Sequence, residues 1–442
     1  MNHSNVTVPE IKQPFSLSGF DFPDFISPSL HRGEEAHTHY FFSTSKESVI
    51  SLPVNLKDAE NQCSSHWAAA RKKHSIDYNK FPYEQTENQW WQYCLAPHSY
   101  LPLGNNQIQV GLNFFNRFLH IDFSSRSAQL VDPGTGDEML STTNWFDQKA
   151  GEIWFASWPM EDTIRRLINP RENTRVTIWK FSIQKKNLTR IWQGDMSDAL
   201  HQISLSPDRR FLVLTELGLH SDEIVSAELQ NQPISLEKRK VSKKLIPSKI
   251  LILNLKTGEE WQLPVLTAGH VEFDPKEQNV CYVSCHNIGL IGVKVGIFGA
   301  GLIKKIRLTK TGPELAGEFS HPDFHRITTH IVFRHRGKTL IGVSGYPDKV
   351  FLIDATTMEL YKMIEMEPGE KVDVSTSPHI CQQDSYGIAA SKDGEALLAA
   401  GTGFIHAALI EEGRFSLKTR IAGYGSNCCF TGHLGFFDYL KA

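Results

Sequence analysis

Short runs of alternating apolar and polar residues, punctuated by turn residues, fill most of this 442-residue chain. The stretch Thr267 to Asn287 shows the unit most plainly. His270, Val271, Glu272 and Phe273 alternate, Asp274-Pro275 turns the chain, and Val280 to Ser284 returns. Period-two alternation around an acidic-proline turn predicts a β-hairpin. The hairpin recurs in Leu200 to Glu216, with Ser206-Pro207-Asp208 at its turn, in Thr329 to Gly345, and in Tyr386 to Gly401. Gly432 to Phe437 repeats its opening strand. The opening positions His201, His270, His330, Gly387 and His433 stand 69, 60, 57 and 46 residues apart.

Repeats of this length, each followed by a second hairpin such as Lys349 to Met366, predict four-stranded units arranged as blades. Weaker openings near Gln107 and Gly151 bring the count to seven. The expected fold class is therefore all-β, a seven-bladed β-propeller occupying residues 1–442 as one domain. Two stretches depart from the pattern. Residues 1–35, rich in Pro, Ser and Phe, read as an extended arm. Residues 58–95 read as a small helical, aromatic-rich insertion near the N-terminus, a packed appendage or a lid over one mouth of the channel. Between them, His39 to Val54 reads as two strands that close the ring against the C-terminal segment.

Composition narrows the partners. A net charge of −3 gives no electrostatic case for nucleic acid. No apolar run approaches the roughly 20 residues of a membrane span, and the first ten residues lack the basic and apolar stretches of a secretory signal. Seven cysteines without regular spacing do not make a disulfide framework. These features predict a reduced, cytoplasmic protein. Cys281 and Cys285 would lie roughly 13 Å apart on one strand, too far to clip one zinc. The vicinal Cys428-Cys429 pair reads as buried small side chains.

The fragments SPDRRFLVL, SKDGEALLAAG and VFLIDATTMEL resemble those of the YVTN and WD40-like β-propellers. The resemblance covers roughly residues 195–425. It implies the fold far more than an activity, because propellers host enzymes, sensors and scaffolds. No WD dipeptide closes the blades, which disfavours a strict WD40 scaffold.

The candidate chemistry rests on repeat register. Four inner strands open with histidine, and equivalent positions around one axis point at a common centre. His201, His270, His330 and His433 are thus candidate ligands for a transition metal. The competing reading is four structural histidines bonded to neighbouring turns. Glu216 and Glu272 are candidate carboxylates behind the imidazoles, or simply strand-end charges. Trp90, Trp91, Phe115, Trp154 and Trp158 are candidate pocket walls. Four-histidine coordination on a propeller axis is similar to the carotenoid cleavage oxygenases, without their local motifs. That resemblance implies Fe(II), with manganese, copper or zinc as alternatives, and oxygenase chemistry on a small apolar or aromatic substrate. No catalytic residue is identified. The alternatives are a non-enzymatic propeller that binds a protein or peptide, and a metal-dependent lyase. Register separates them, since a scaffold has little reason to repeat one titratable ligand at four blade openings.

Overall fold

The computed structural model describes residues 10–11, 29–32, 37–43, 48–74, 97–112, 115–162, 173–196, 200–216, 220–221, 245–246, 248–265, 268–285, 288–291, 294–297, 301–324, 326–346, 349–365, 385–401, 404–413, 417–422 and 428–429. Antiparallel sheets dominate. Six blades follow one another along the chain, over 97–131, 138–196, 200–265, 268–320, 326–365 and 385–422. In each, the strands pair in chain order from the inner edge outward. Glu10–Ile11 adds a strand to the outer edge of the sixth blade.

Among the described residues the blades number six rather than the seven counted from the sequence. The count from sequence included an opening at His433, which lies outside the described residues. At that place a four-stranded sheet joins distant segments, with Cys428–Cys429 paired to Ser29–Arg32, then His37–Ser43, then Ser48–Val54. Its outer strand, with Leu52 and Val54, packs on Ile108, Val110 and Leu119 of the first blade. Ser48–Val54 also touches the Glu10–Ile11 strand of the sixth.

Alternation decides where the core lies. Each sheet sends apolar side chains to both faces, so the cores sit between blades. Phe118 and Phe155 meet edge-on at 5.0 Å between the first and second blades. Ile203 and Leu205 join Trp154 and Trp158 between the second and third. Phe211 and Val213 meet Val271 and Val283 between the third and fourth, and Tyr282 meets Phe351 and Val343 between the fourth and fifth. Leu352 meets Ile388 and Leu397 in the next gap. Lys305, itself buried, reaches the Ala355 carbonyl of the following blade at 2.8 Å.

The turns follow from side chains that cap backbone N–H groups. Asn254 Oδ1 accepts from Lys256 and Thr257, Asp354 Oδ1 from Thr356 and Thr357, and Asp122 Oδ1 from Ser124 and Ser125. Ser206 Oγ accepts from Phe211, and Ser391 Oγ from Ala396. Ser206, Ser391 and Asp354 stand in the SPDRRFLVL, SKDGEALLAAG and VFLIDATTMEL fragments read in the sequence.

The expected helix forms over Lys57–His74. Asp58 in its first turn and Lys72 and Lys73 in its last complement the helix dipole. Leu56 and Ala59 anchor its start in the first-blade core, and Lys73 pairs with Glu161 beyond the second blade's Glu152–Pro159 strand. At 1.5 Å per residue it runs about 27 Å over the face where the inner strands begin. The excursions of the third and fourth blades meet on the same face. There His220–Ser221 pairs with Leu245–Ile246 and, in parallel, with Ile288–Ile291. No helix among the described residues is long and apolar enough to cross a membrane.

Gly394 makes the tightest required approach. It sits at φ +72°, its carbonyl accepts from His335 Nδ1 at 2.7 Å, and an added Cβ would lie 1.7 Å from the Arg334 carbonyl oxygen. Gly394→Ala is expected to cost roughly 2–3 kcal/mol by overpacking. Urea unfolding of parent and variant measures it, and coincident curves would refute the close approach.

Candidate functional site

Strand pairing fixes where each histidine stands. Every inner strand breaks its ladder near its start. In the first, third, fourth, fifth and sixth blades the register shifts at Pro97/Ser99, Leu200/Gln202, Ala268/Val271, Ile327/Thr329 and Ser385/Gly387. In the second, residues 141–144 separate Glu138–Leu140 from Trp145–Asp147. Counted from the last pair before the shift, His201 is one residue on, His270 two and His330 three. The expected equivalence of these positions is therefore corrected. Successive strand residues face opposite sides, so a slip of one reverses the direction of the side chain.

Two of the four imidazoles do meet. His201 and His270 are buried, with ring centroids 4.7 Å apart. Gln202 binds this pair into the seam between the third and fourth blades. Its Nε2 donates to the Val271 carbonyl at 3.1 Å, and its Oε1 accepts from the Val271 N–H at 2.9 Å. The two bonds fix the amide orientation, so His270 Nδ1, 2.7 Å from the same Oε1, must be the donor. In a neutral ring His270 Nε2 then carries the lone pair. Burial holds His201 down to about 4, weakly opposed by the Gly269 backbone.

His330 lies in the next seam, on the side of the fifth blade that meets the fourth. Its cross-strand neighbour Val343 packs in the same core as Tyr282. Burial also lowers its pKa to about 4, with the Tyr282 backbone opposing, and neither ring nitrogen makes a hydrogen bond of good geometry. Glu272 lies two residues after His270, beyond the register shift, directly across from Tyr282. It is half-buried, and desolvation pushes its carboxyl up to about 7. Glu216 is fully buried, and its Oε2 accepts the Lys249 N–H at 2.7 Å, tying down the start of the third strand.

Among the described residues no three His, Cys, Asp or Glu side chains gather into a metal-binding group. His433, Trp90 and Trp91 lie outside the described residues. Phe115, Trp154 and Trp158, expected as pocket walls, are packed into cores instead, because their positions fall on sheet or loop faces pressed against neighbouring elements. Burial pushes the Cys281 and Cys285 thiols up to about 12, which suits inert core side chains.

Sequence reasoning missed Gln202, although it directly follows His201. It also missed a cleft at the opposite end of the inner strands. This cleft, of about 540 Å³, lies between Trp145 to Lys149 of the second blade and Ser206, Pro207 and Arg209 of the third. Buried Asp147 pairs there with Arg209 Nη2 at 2.5 Å and caps the Ala150 N–H at 3.0 Å.

The displaced pKa values set a pH window. The raised Glu272 carboxyl contributes stability that is present below its unfolded value of 4.5 and lost as pH rises through about 7. The depressed His201 and His330 contribute stability present above 6.5 and lost as pH falls toward about 4. The two histidine gains and the one carboxyl loss balance at about pH 7, where the contribution of these groups is greatest. Glu272→Gln keeps the histidine gain and drops the carboxyl loss, so its Tm is expected to rise relative to the parent's as pH increases from 5 to 8. Parallel Tm profiles from pH 5 to 8.5 would sink this assignment.

No protein-family profile matches the chain, and no curated protein matches it. A chain of the "Crystal Structure of Mitotic Checkpoint Complex" is similar at a TM-score of 0.36 and 11% identity, over 56% of this chain and 63% of that one. A likeness at that level carries no argument about activity or partners, and the propeller assignment stands on the strand pairing itself.

Proposed function

We propose that this chain is a non-enzymatic β-propeller that binds a protein or peptide partner. The observation that carries this reading is the seam geometry. His201, His270 and His330 occupy three different ladder positions, and His270 is held by Gln202 as part of an interblade hydrogen-bond set. A metal centre built from equivalent blade positions needs the common register that these residues lack, whereas a binding scaffold does not.

A second reading is supported by the polar groups buried beside that seam. The unpartnered nitrogens of His330 and the desolvated Glu272 carboxyl are groups that a cation would satisfy. On this reading the protein is a metal-dependent enzyme. His201, His270, His330 and His433 would hold Fe(II), or manganese, copper or zinc, and Glu216 and Glu272 would be the nearby carboxylates. The metal would supply oxygen activation for a small apolar or aromatic substrate, or Lewis acidity for a lyase. Glu272, near pH 7 in its titration, has the basicity that proton abstraction requires. The donors fit a metal only in part, since among the described histidines of this set His201 and His270 alone are neighbours.

Elemental analysis of protein purified without an affinity tag separates the readings. The binding reading expects no stoichiometric transition metal in the parent or in a His270→Ala, His330→Ala double variant. A stoichiometric metal in the parent, lost from a folded double variant, would overturn it and favour the enzyme.

The sheet built from both chain ends serves, on our reading, as the seventh blade. Leu30 stands opposite Cys429 in its register. Leu30→Cys is therefore expected to form a disulfide with Cys429 under mild oxidation, read by mass spectrometry after proteolysis. Failure to cross-link in the folded protein would remove that closure.

A further inference from the structure

We propose that the cleft between the inner turns of the second and third blades docks a segment of a partner protein that carries a carboxylate beside an apolar residue. The inference deepens the binding reading and rests on it. The cleft is open to solvent, and its volume of about 540 Å³ would admit a few peptide residues. Its wall is apolar where Trp145 and Phe146 end the Trp145–Asp147 strand and Pro207 stands exposed on the facing turn. Trp145 is only partly covered by the core behind it, which leaves indole surface for an incoming side chain. Aromatic surface beside proline is a common anchor at peptide interfaces.

Charge then selects the partner. Asp147 is the acidic residue of the lining. It is 3% exposed, and its carboxylate is already bonded to Arg209 and to the Ala150 N–H. Arg209 offers one nitrogen to that pair, and its side chain remains 43% exposed, so other guanidinium donors are open to solvent. Lys149 is exposed and has no carboxylate partner among the described residues. The uncompensated charge of the cleft is therefore positive. A carboxylate laid between Lys149 and Arg209 would gain charge-assisted hydrogen bonds without displacing the internal pair. Arg209, at φ 59°, is held on its turn by that pair and by the Arg209 N–H to Ser206 carbonyl bond at 2.8 Å, so its donors are preorganised.

The test uses full-length protein on an array of immobilised random heptapeptides, beside Lys149→Glu, an exposed substitution expected to leave folding intact by circular dichroism. The expected result is selection of peptides with Asp or Glu next to an aromatic or aliphatic residue. Their binding should weaken with added salt and fall at least tenfold in Lys149→Glu. Selection of peptides that bind parent and variant equally would overturn the cleft and leave the binding reading standing. Selection of no peptides by the parent would overturn both.

Discussion

The broken ladder at the start of each inner strand is the constraint on which the rest depends. A bulge leaves backbone groups without their strand partner, and buried backbone groups must be paired. Here the neighbouring blade supplies the partners. Ser99 Oγ donates to the Thr142 carbonyl, the Ile203 N–H reaches the Thr143 carbonyl at 3.3 Å, and Thr215 Oγ1 donates to the Gly269 carbonyl. Gln202 does the same for both backbone groups of Val271. Hydrogen bonding that an isolated sheet would complete internally is thereby transferred to the contacts between sheets. Apolar packing between blades is non-directional, so these seam bonds are what fix the angle and height of one blade against the next.

The propeller was legible because its turns are written in side chains. Ser206, Asp274 and Ser391 cap the inner turns, while Asn254 and Asp354 cap the outer ones, and each stands in a recognisable local motif. The histidine register was not legible for the same reason that the fold was. Motifs locate turns, but a bulge adds a residue between turn and strand opening without any local signal. The fifth blade compounds this, since its inner strand Arg326–His335 runs on to a tight turn at Arg336-Gly337. His270 therefore joins His201 in the seam between the third and fourth blades, while His330 stands in the seam between the fourth and fifth. The tryptophans mislead by size. Trp154 and Trp158 look like pocket residues by composition, yet a fold whose sheets pack face to face needs large side chains to fill the widening gaps.

Burial has a second effect on the polar residues of the inner strands. At neutral pH His201 and His330 are uncharged, because desolvation outweighs the backbone dipoles that favour protonation. Glu272 sits near its midpoint for the same reason. The strand openings that carry these three groups therefore gain little charge from them at neutral pH. At the other end Lys149 and Arg209 leave net positive charge.

Pairing of Leu30 with Cys429 has a consequence for how the molecule is made. A growing chain emerges from its N-terminal side, so the strands at Ser29–Arg32 and His37–Ser43 are synthesised long before their inner partner exists. Hairpins such as Leu200–Leu205 with Phe211–Glu216 join residues close in sequence and can form as they appear. The closing sheet instead carries the entropy of a loop that contains every blade. During synthesis, then, Ser29–Arg32 presents an unpaired strand edge until Cys428–Cys429 is made and pairs with it.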